Sequence, residues 1–169
     1  MSKPQSDNFF WRRVFRESDP PGKTALILST WFGAGLLPVA PGTFGTLAAI
    51  PLGIGMACLG VWPRAFIFAL VVTAAIWTSD RSEKLLAQRD PAVVVIDEVA
   101  GFLLTLFILP PSWLNIGMGF VFFRFFDMLK PYPIKHLEKL KGGFGIVMDD
   151  LVAGTYALLG TKLILLLIE

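Results

Sequence analysis

Between Thr24 and Pro63 the chain has no aspartate, glutamate, lysine, arginine or histidine, and between Val99 and Phe123 all five are missing again. Charged residues make up only 17% of the 169, against roughly 25% in soluble domains. A bilayer core of about 30 Å is crossed by about 20 apolar helical residues. Both runs exceed that length, which points to an integral membrane protein; the rival is a greasy soluble all-helical domain. Cysteine is nearly absent too. Cys58 stands alone, so an internal disulfide and a multi-cysteine metal site are excluded. His136 is the single histidine and sits in a basic loop, which argues against a histidine-rich zinc site. The net charge of +2 gives no reason to expect a nucleic-acid partner. No apolar h-region precedes Asp19-Pro20-Pro21-Gly22, so the start does not read as a signal peptide.

What is there reads as helices. Residues 1–23 form a polar arm in which Phe9–Phe15 mixes aromatics with arginines, as an interfacial helix does. Residues 24–169 read as a single helical membrane domain. Thr24–Ala40 is apolar but rich in glycine and ends among prolines, so an interfacial or half-inserted segment fits it better than a span. Crossings are expected at Thr43–Trp62 (kinked at Pro51), Ala65–Ser79, Pro91–Leu109, Leu114–Leu129 and Asp150–Ile168, with a solvated loop or surface helix over Asp80–Asp90. The expected fold is therefore an all-α polytopic bundle of about five spans plus interfacial helices. Basic residues cluster in the arm (Lys3, Arg12, Arg13, Arg16, Lys23), in the 80–90 loop (Arg81, Lys84, Arg89) and in the 130–141 loop (Lys130, Lys135, Lys139, Lys141); the opposite turns carry only Arg64. By the positive-inside rule the three basic segments face the cytoplasm.

That orientation gathers the carboxylates. Asp97-Glu98, Asp127 and Asp149-Asp150 all fall toward the cytoplasmic ends of spans. Two like charges 5 Å apart repel by about 3 kcal/mol at an effective dielectric of 20. A hard divalent cation offsets that repulsion, and magnesium takes carboxylate oxygens while keeping waters for a substrate phosphate. Asp97, Glu98, Asp127, Asp149 and Asp150 are thus candidate magnesium ligands. One carboxylate can cap a helix start; the second of each adjacent pair is left over. Arg124, Asp127 and Lys130 stand at i, i+3 and i+6, which makes either a polar stripe facing the site or a simple intrahelical ladder. "DEVAG" (Asp97–Gly101) and "DDLVAG" (Asp149–Gly154) echo each other.

"APGTFGT" (Ala40–Thr46) offers glycines for close backbone approach and two hydroxyls, Thr43 and Thr46, ahead of a helix start, a place that favours anions; a plain capped turn is the other reading. Cys58 and Arg64 have the Cys-x5-Arg spacing of cysteine-dependent phosphatases. Pro63 lacks an amide and the flank is apolar, so no phosphate-wrapping loop is expected there.

Taken together, "PGTFGTLAAIP", "IDEVAG", "FRFFDMLKPYPIK" and "GGFGIVMDDLVAG" resemble the phosphatidylglycerophosphatase A family over roughly Trp31 to Leu158. The resemblance implies a magnesium-dependent hydrolase of the bacterial inner membrane with its active site toward the cytoplasm. Its lipid substrate would be phosphatidylglycerophosphate, converted to phosphatidylglycerol and inorganic phosphate. It further implies that Asp97, Asp127, Asp149 and Asp150 are catalytic, that these four and Glu98 bind metal, and that Arg124 and Lys130, with Thr43 and Thr46, contact phosphate. Two rivals stay open: a magnesium-dependent CDP-lipid phosphatidyltransferase, whose Asp-x-x-Asp-Gly-x-x-Ala-Arg signature is missing here, and a divalent-cation transporter.

Overall fold

A computed structural model describes residues 7–137 and 140–168, with side chains from residue 10 onward. Lys3 and Lys139, counted above among the basic residues, lie outside the described residues. Every regular element among the described residues is helical: α1 Asp7–Glu17, α2 Pro20–Ser29, a 3-10 turn Ala34–Leu36, α3 Pro41–Ala48, α4 Ile50–Ala57, α5 Val61–Leu86, α6 Ile96–Leu106, α7 Trp113–Leu129, α8 Ile134–Leu137 and α9 Gly142–Ile168.

Short α6 is the axis of the bundle. Val99, Phe102, Leu103 and Leu106 are buried in one cluster with Met56 of α4, Phe123 of α7 and Ala153 and Ala157 of α9. Ile96 and Ala100 join a second with Ala75 of α5 and Val147 of α9. Four helices therefore enclose a fifth of only 11 residues. The α6–α9 crossing is close enough that a Cβ on Gly154 would collide with the Gly101 carbonyl, and one on Gly101 would sit 2.7 Å from the Phe123 ring. Thr105 Oγ1 seals the crossing, lying 3.1 Å from the Gly101 oxygen and 3.2 Å from that of Gly154. The sequence echo thus marks the two faces of one helix contact.

Two helices, α5 and α9, are long and apolar enough to cross a membrane. Their outward faces are greasy: Phe66 and Leu70 on α5, Leu159, Leu163 and Leu166 on α9 are exposed, as are Val121 and Phe125 on α7. The expected crossing at Thr43–Trp62 is instead two helices, α3 and α4, broken at Ala49 just before Pro51, which occupies the first turn of α4 where its missing N–H costs nothing. Of the two readings of 80–90, loop or surface helix, the helix holds for most of it: α5 runs on to Leu86, with Lys84 bonding Asp80 at 2.6 Å, and only Ala87–Asp90 turns. Similarly α9 starts at Gly142, so Asp149 and Asp150 lie two turns inside it and are not caps.

Arg64 ties the far end together. Its guanidinium donates to the carbonyls of Met56 (3.1 Å), Ala57 (2.9 Å), Leu59 (3.0 Å) and Phe107 (2.7 Å), closing the carboxyl ends of α4 and α6 from the first turn of α5. That commitment removes it from any phosphate chemistry with Cys58. At the opposite end Trp11, Val14 and Phe15 of α1 pack onto Leu26, Leu86 and Val93, so the helical part of the arm lies against α2 and α5.

Candidate functional site

The amino end of α6, the carboxyl end of α7, the third turn of α9 and the start of α3 converge. Val95 precedes α6, and its amide donates 2.8 Å to the Ser29 carbonyl, which fixes where the helix begins. Asp97 and Glu98 therefore fall in its first turn. Asp150 comes from α9, one turn upstream of Gly154 as Asp97 is one turn upstream of Gly101. Because those glycines let the backbones touch, the two carboxylates meet. Asp97, Glu98 and Asp150 each offer an oxygen within 4.8 Å of the others.

Asp127 and Asp149 flank this trio, each held by a cation. Arg124 Nη1 donates to Asp127 Oδ2 at 2.6 Å and stands 4.0 Å from Glu98 Oε1. Lys130 Nζ donates to Asp149 Oδ2 at 2.9 Å. The sequence stripe of Arg124, Asp127 and Lys130 is thus divided. α7 stops at Leu129, Lys130 turns left-handed (φ 45°), and its side chain leaves the helix for α9. The Arg124–Asp127 rung of an intrahelical ladder is present, and Lys130 does not extend it.

Desolvation is severe: Asp97, Asp149 and Asp150 are 6%, 5% and 4% exposed. Yet Asp97 Oδ1, Glu98 Oε2 and Asp149 Oδ1 are buried with no hydrogen-bond partner among the described residues. Orphaned carboxylate oxygens in a low-dielectric site are costly unless a cation meets them. The donor set is all oxygen, clustered and under-neutralised, and so fits a hard divalent cation.

The Ala40–Thr46 segment enters the site through its backbone. A Cβ on Gly42 would collide with Glu98 Oε1 and come within 3.3 Å of Arg124 Nη1. A side chain here would have to displace the Glu98 carboxylate from its place beside Arg124. The helix here begins at Pro41, so Thr43 and Thr46 lie inside its first turns and not ahead of it. Thr43 is half-buried one residue beyond Gly42. Thr46 points inward, fully buried, and donates 2.8 Å to the Gly42 carbonyl, holding the residue that meets Glu98. Sequence reasoning did not single out Gly42 as a packing contact of Glu98. Its place in "PGTFGT" was the available signal.

A family model described as phosphatidylglycerophosphatase A matches residues 27–165, which takes in all nine of the residues expected at the site. Proteins named phosphatidylglycerophosphatase A are similar over most of their length. One from Escherichia coli is 38% identical over 130 residues (76% of this chain and 76% of the relative). One from Haemophilus influenzae is 38% identical over 151 residues (85% and 93%). A Bacteroides thetaiotaomicron protein, provisionally named a phosphatidylinositol-3-phosphatase, is 35% identical over 146 residues (81% and 91%). No solved structure matches the chain.

Proposed function

Because this chain belongs to the phosphatidylglycerophosphatase A family, we propose that it hydrolyses phosphatidylglycerophosphate to phosphatidylglycerol and inorganic phosphate, using magnesium at a membrane-edge site. The observation that carries the reading is the buried trio Asp97, Glu98 and Asp150, with orphaned oxygens, beside two cations already oriented by carboxylates.

Asp97, Glu98 and Asp150 would hold the metal, with Asp127 and Asp149 at its margin; when bound, magnesium supplies charge neutralisation for phosphate oxygens. The protein's own groups do the rest. Asp127 aims the Arg124 guanidinium, whose five N–H donors exceed the one used on Asp127, so that a phosphate can be met without releasing the partner. Asp149 aims Lys130 in the same way. Both cations then stabilise the charge that spreads over the transferring group. Thr43 adds a hydroxyl next to Gly42, and Thr46 supports that segment through the Gly42 carbonyl. A carboxylate of the cluster takes the proton of the attacking water. In balance, water adds to phosphorus, the ester oxygen leaves with a proton as the lipid's glycerol hydroxyl, and inorganic phosphate is freed.

The five crossings are part of the same proposal: α3–α4, α5, α6 with its flanks, α7 and α9, in the bacterial inner membrane, with the carboxylates toward the cytoplasm. Residues 24–169 make the catalytic domain, and the 1–23 arm lies on its cytoplasmic side.

The test is phosphate release from phosphatidylglycerophosphate by detergent-purified protein, with magnesium and with a chelator. Phosphatidylinositol 3-phosphate is assayed beside it, because one relative's name points there. Magnesium-dependent release from the glycerol lipid is the outcome expected. CMP release from a CDP-lipid, or cation flux in proteoliposomes without lipid turnover, would overturn the reading.

A further inference from the structure

The carboxylate trio is recessed. Ile96, at the start of α6, packs in one cluster with Ala75 of α5, and α5 continues 11 residues beyond Ala75, about 16 Å. On α9 eight residues, about 12 Å, separate Gly142 from Asp150. The projecting ends of α5 and α9, with the 87–90 turn and α8, wall a cleft of about 450 Å³. Its lining includes Glu83, Arg89, Asp90, Lys135, Ile146 and, from the active-site cluster, Asp149. A second hollow of about 490 Å³ shares Glu83, Arg89 and Gly142 with it and adds Lys141, so the two form one trench from Asp149 outward.

The charges of this trench suit passage better than capture. Arg89 and Lys135 line the inner cleft together with Glu83 and Asp90, the outer hollow adds Lys141 and the Lys84–Asp80 pair, and Asp149 is already bonded to Lys130. The start of α9 adds the positive end of a helix dipole, about half a charge. The balance admits a phosphate dianion without trapping it.

We propose that this cleft is the phosphate subsite through which the reaction exchanges with the aqueous phase, with Arg89 and Lys135 as its anion contacts. The proposal rests on the phosphatase reading above. The shared chemistry is a phosphate monoester dianion, whether free product leaving or lipid headgroup arriving.

The experiment uses the full chain in detergent and the double variant Arg89→Gln/Lys135→Gln. Two quantities are read: inhibition of lipid hydrolysis by added inorganic phosphate, and phosphate binding followed by 31P line broadening, which needs no turnover. The expected result is an inhibition constant raised about tenfold and line broadening largely lost, as for a removed charge-assisted contact. KM within twofold of wild type then assigns the cleft to free phosphate, and a KM that rises in parallel assigns it to the lipid headgroup as well. The charge-keeping variant Arg89→Lys/Lys135→Arg should restore both readouts, which separates lost charge from lost fold. An unchanged inhibition constant with unchanged broadening overturns the proposal. A wild-type protein that binds phosphate but releases none from the lipid would sink the phosphatase reading and leave the cleft standing.

Discussion

Asp97 and Asp150 are placed where folding alone would not put them. Their oxygens lie within 4.8 Å of each other and of Glu98, and like charges at that range cost about 3 kcal/mol per pair at an effective dielectric of 20. A binding site assembled against its own repulsion is strained until a cation arrives. Asp97→Asn and Asp150→Asn should therefore each cut phosphate release by about a hundredfold or more, while raising the melting temperature measured in chelator. A variant that loses activity and also melts lower would assign the carboxylate a structural role. Cys58 presents the opposite case. It is exposed at the end of α4, and the arginine that spacing would pair with it is spent on four carbonyls. Cys58→Ser should hydrolyse lipid at the wild-type rate in the same assay. Arg64→Met should cost about 1–3 kcal/mol in a denaturant titration, because it leaves part-buried helix-end carbonyls unmet. Its kcat, corrected for folded fraction, should stay within a few-fold of wild type.

At the scale of elements, the α6–α9 crossing carries the site. Gly101 and Gly154 let two backbones touch one turn below Asp97 and Asp150. Gly154→Ala should push the helices apart and lose both stability and turnover, detectable as a lower melting temperature together with weaker magnesium protection against heat. The repeated pentad was legible in the sequence, but its meaning was not. An i, i+4 relation between carboxylate and glycine shows only that both share a helix face; that the two faces oppose each other is a tertiary fact. The helical class, the acidic residues and the basic loops were equally legible, because apolar runs and charge clusters are local signals. Element ends were less so. Asp149 and Asp150 resemble a helix start, yet α9 already runs from Gly142, and it packs so closely on α5 that a Cβ on Gly143 would strike the Ile76 carbonyl. Packing against a neighbour overrode the local preference of glycine for a bend. Lys130 leaving α7 for α9 was hidden for the same reason: spacing continues through a helix end that spacing cannot reveal.

For the molecule as a whole, α5 and α9 measure about 39 and 40 Å, longer than a bilayer core of about 30 Å. Each can therefore cross such a core with about 10 Å to spare. Magnesium should raise the melting temperature of the wild-type protein in a concentration-dependent way and leave Asp97→Asn unmoved, since a ligand that binds only the folded state stabilises it by mass action. A melting temperature indifferent to magnesium in both proteins would dissociate the carboxylate cluster from the metal. The arm and the 80–90 segment, which looked like separate surface pieces in the sequence, pack together around Leu26, Leu86 and Val93, a union that no local pattern announces.

The Arg64 clasp has a mechanical corollary. One guanidinium fastens the outer tips of α4 and α6 to α5. At the other pole, α1, α2 and α5 are joined in part through solvent-facing pairs such as Arg81–Asp19, 3.1 Å apart, which hold weakly. A bundle riveted at one pole breathes at the other, like tongs. Opening is then expected at that second pole, so backbone amides near Phe107 should exchange with deuterium far more slowly than those of Gly142–Ile146.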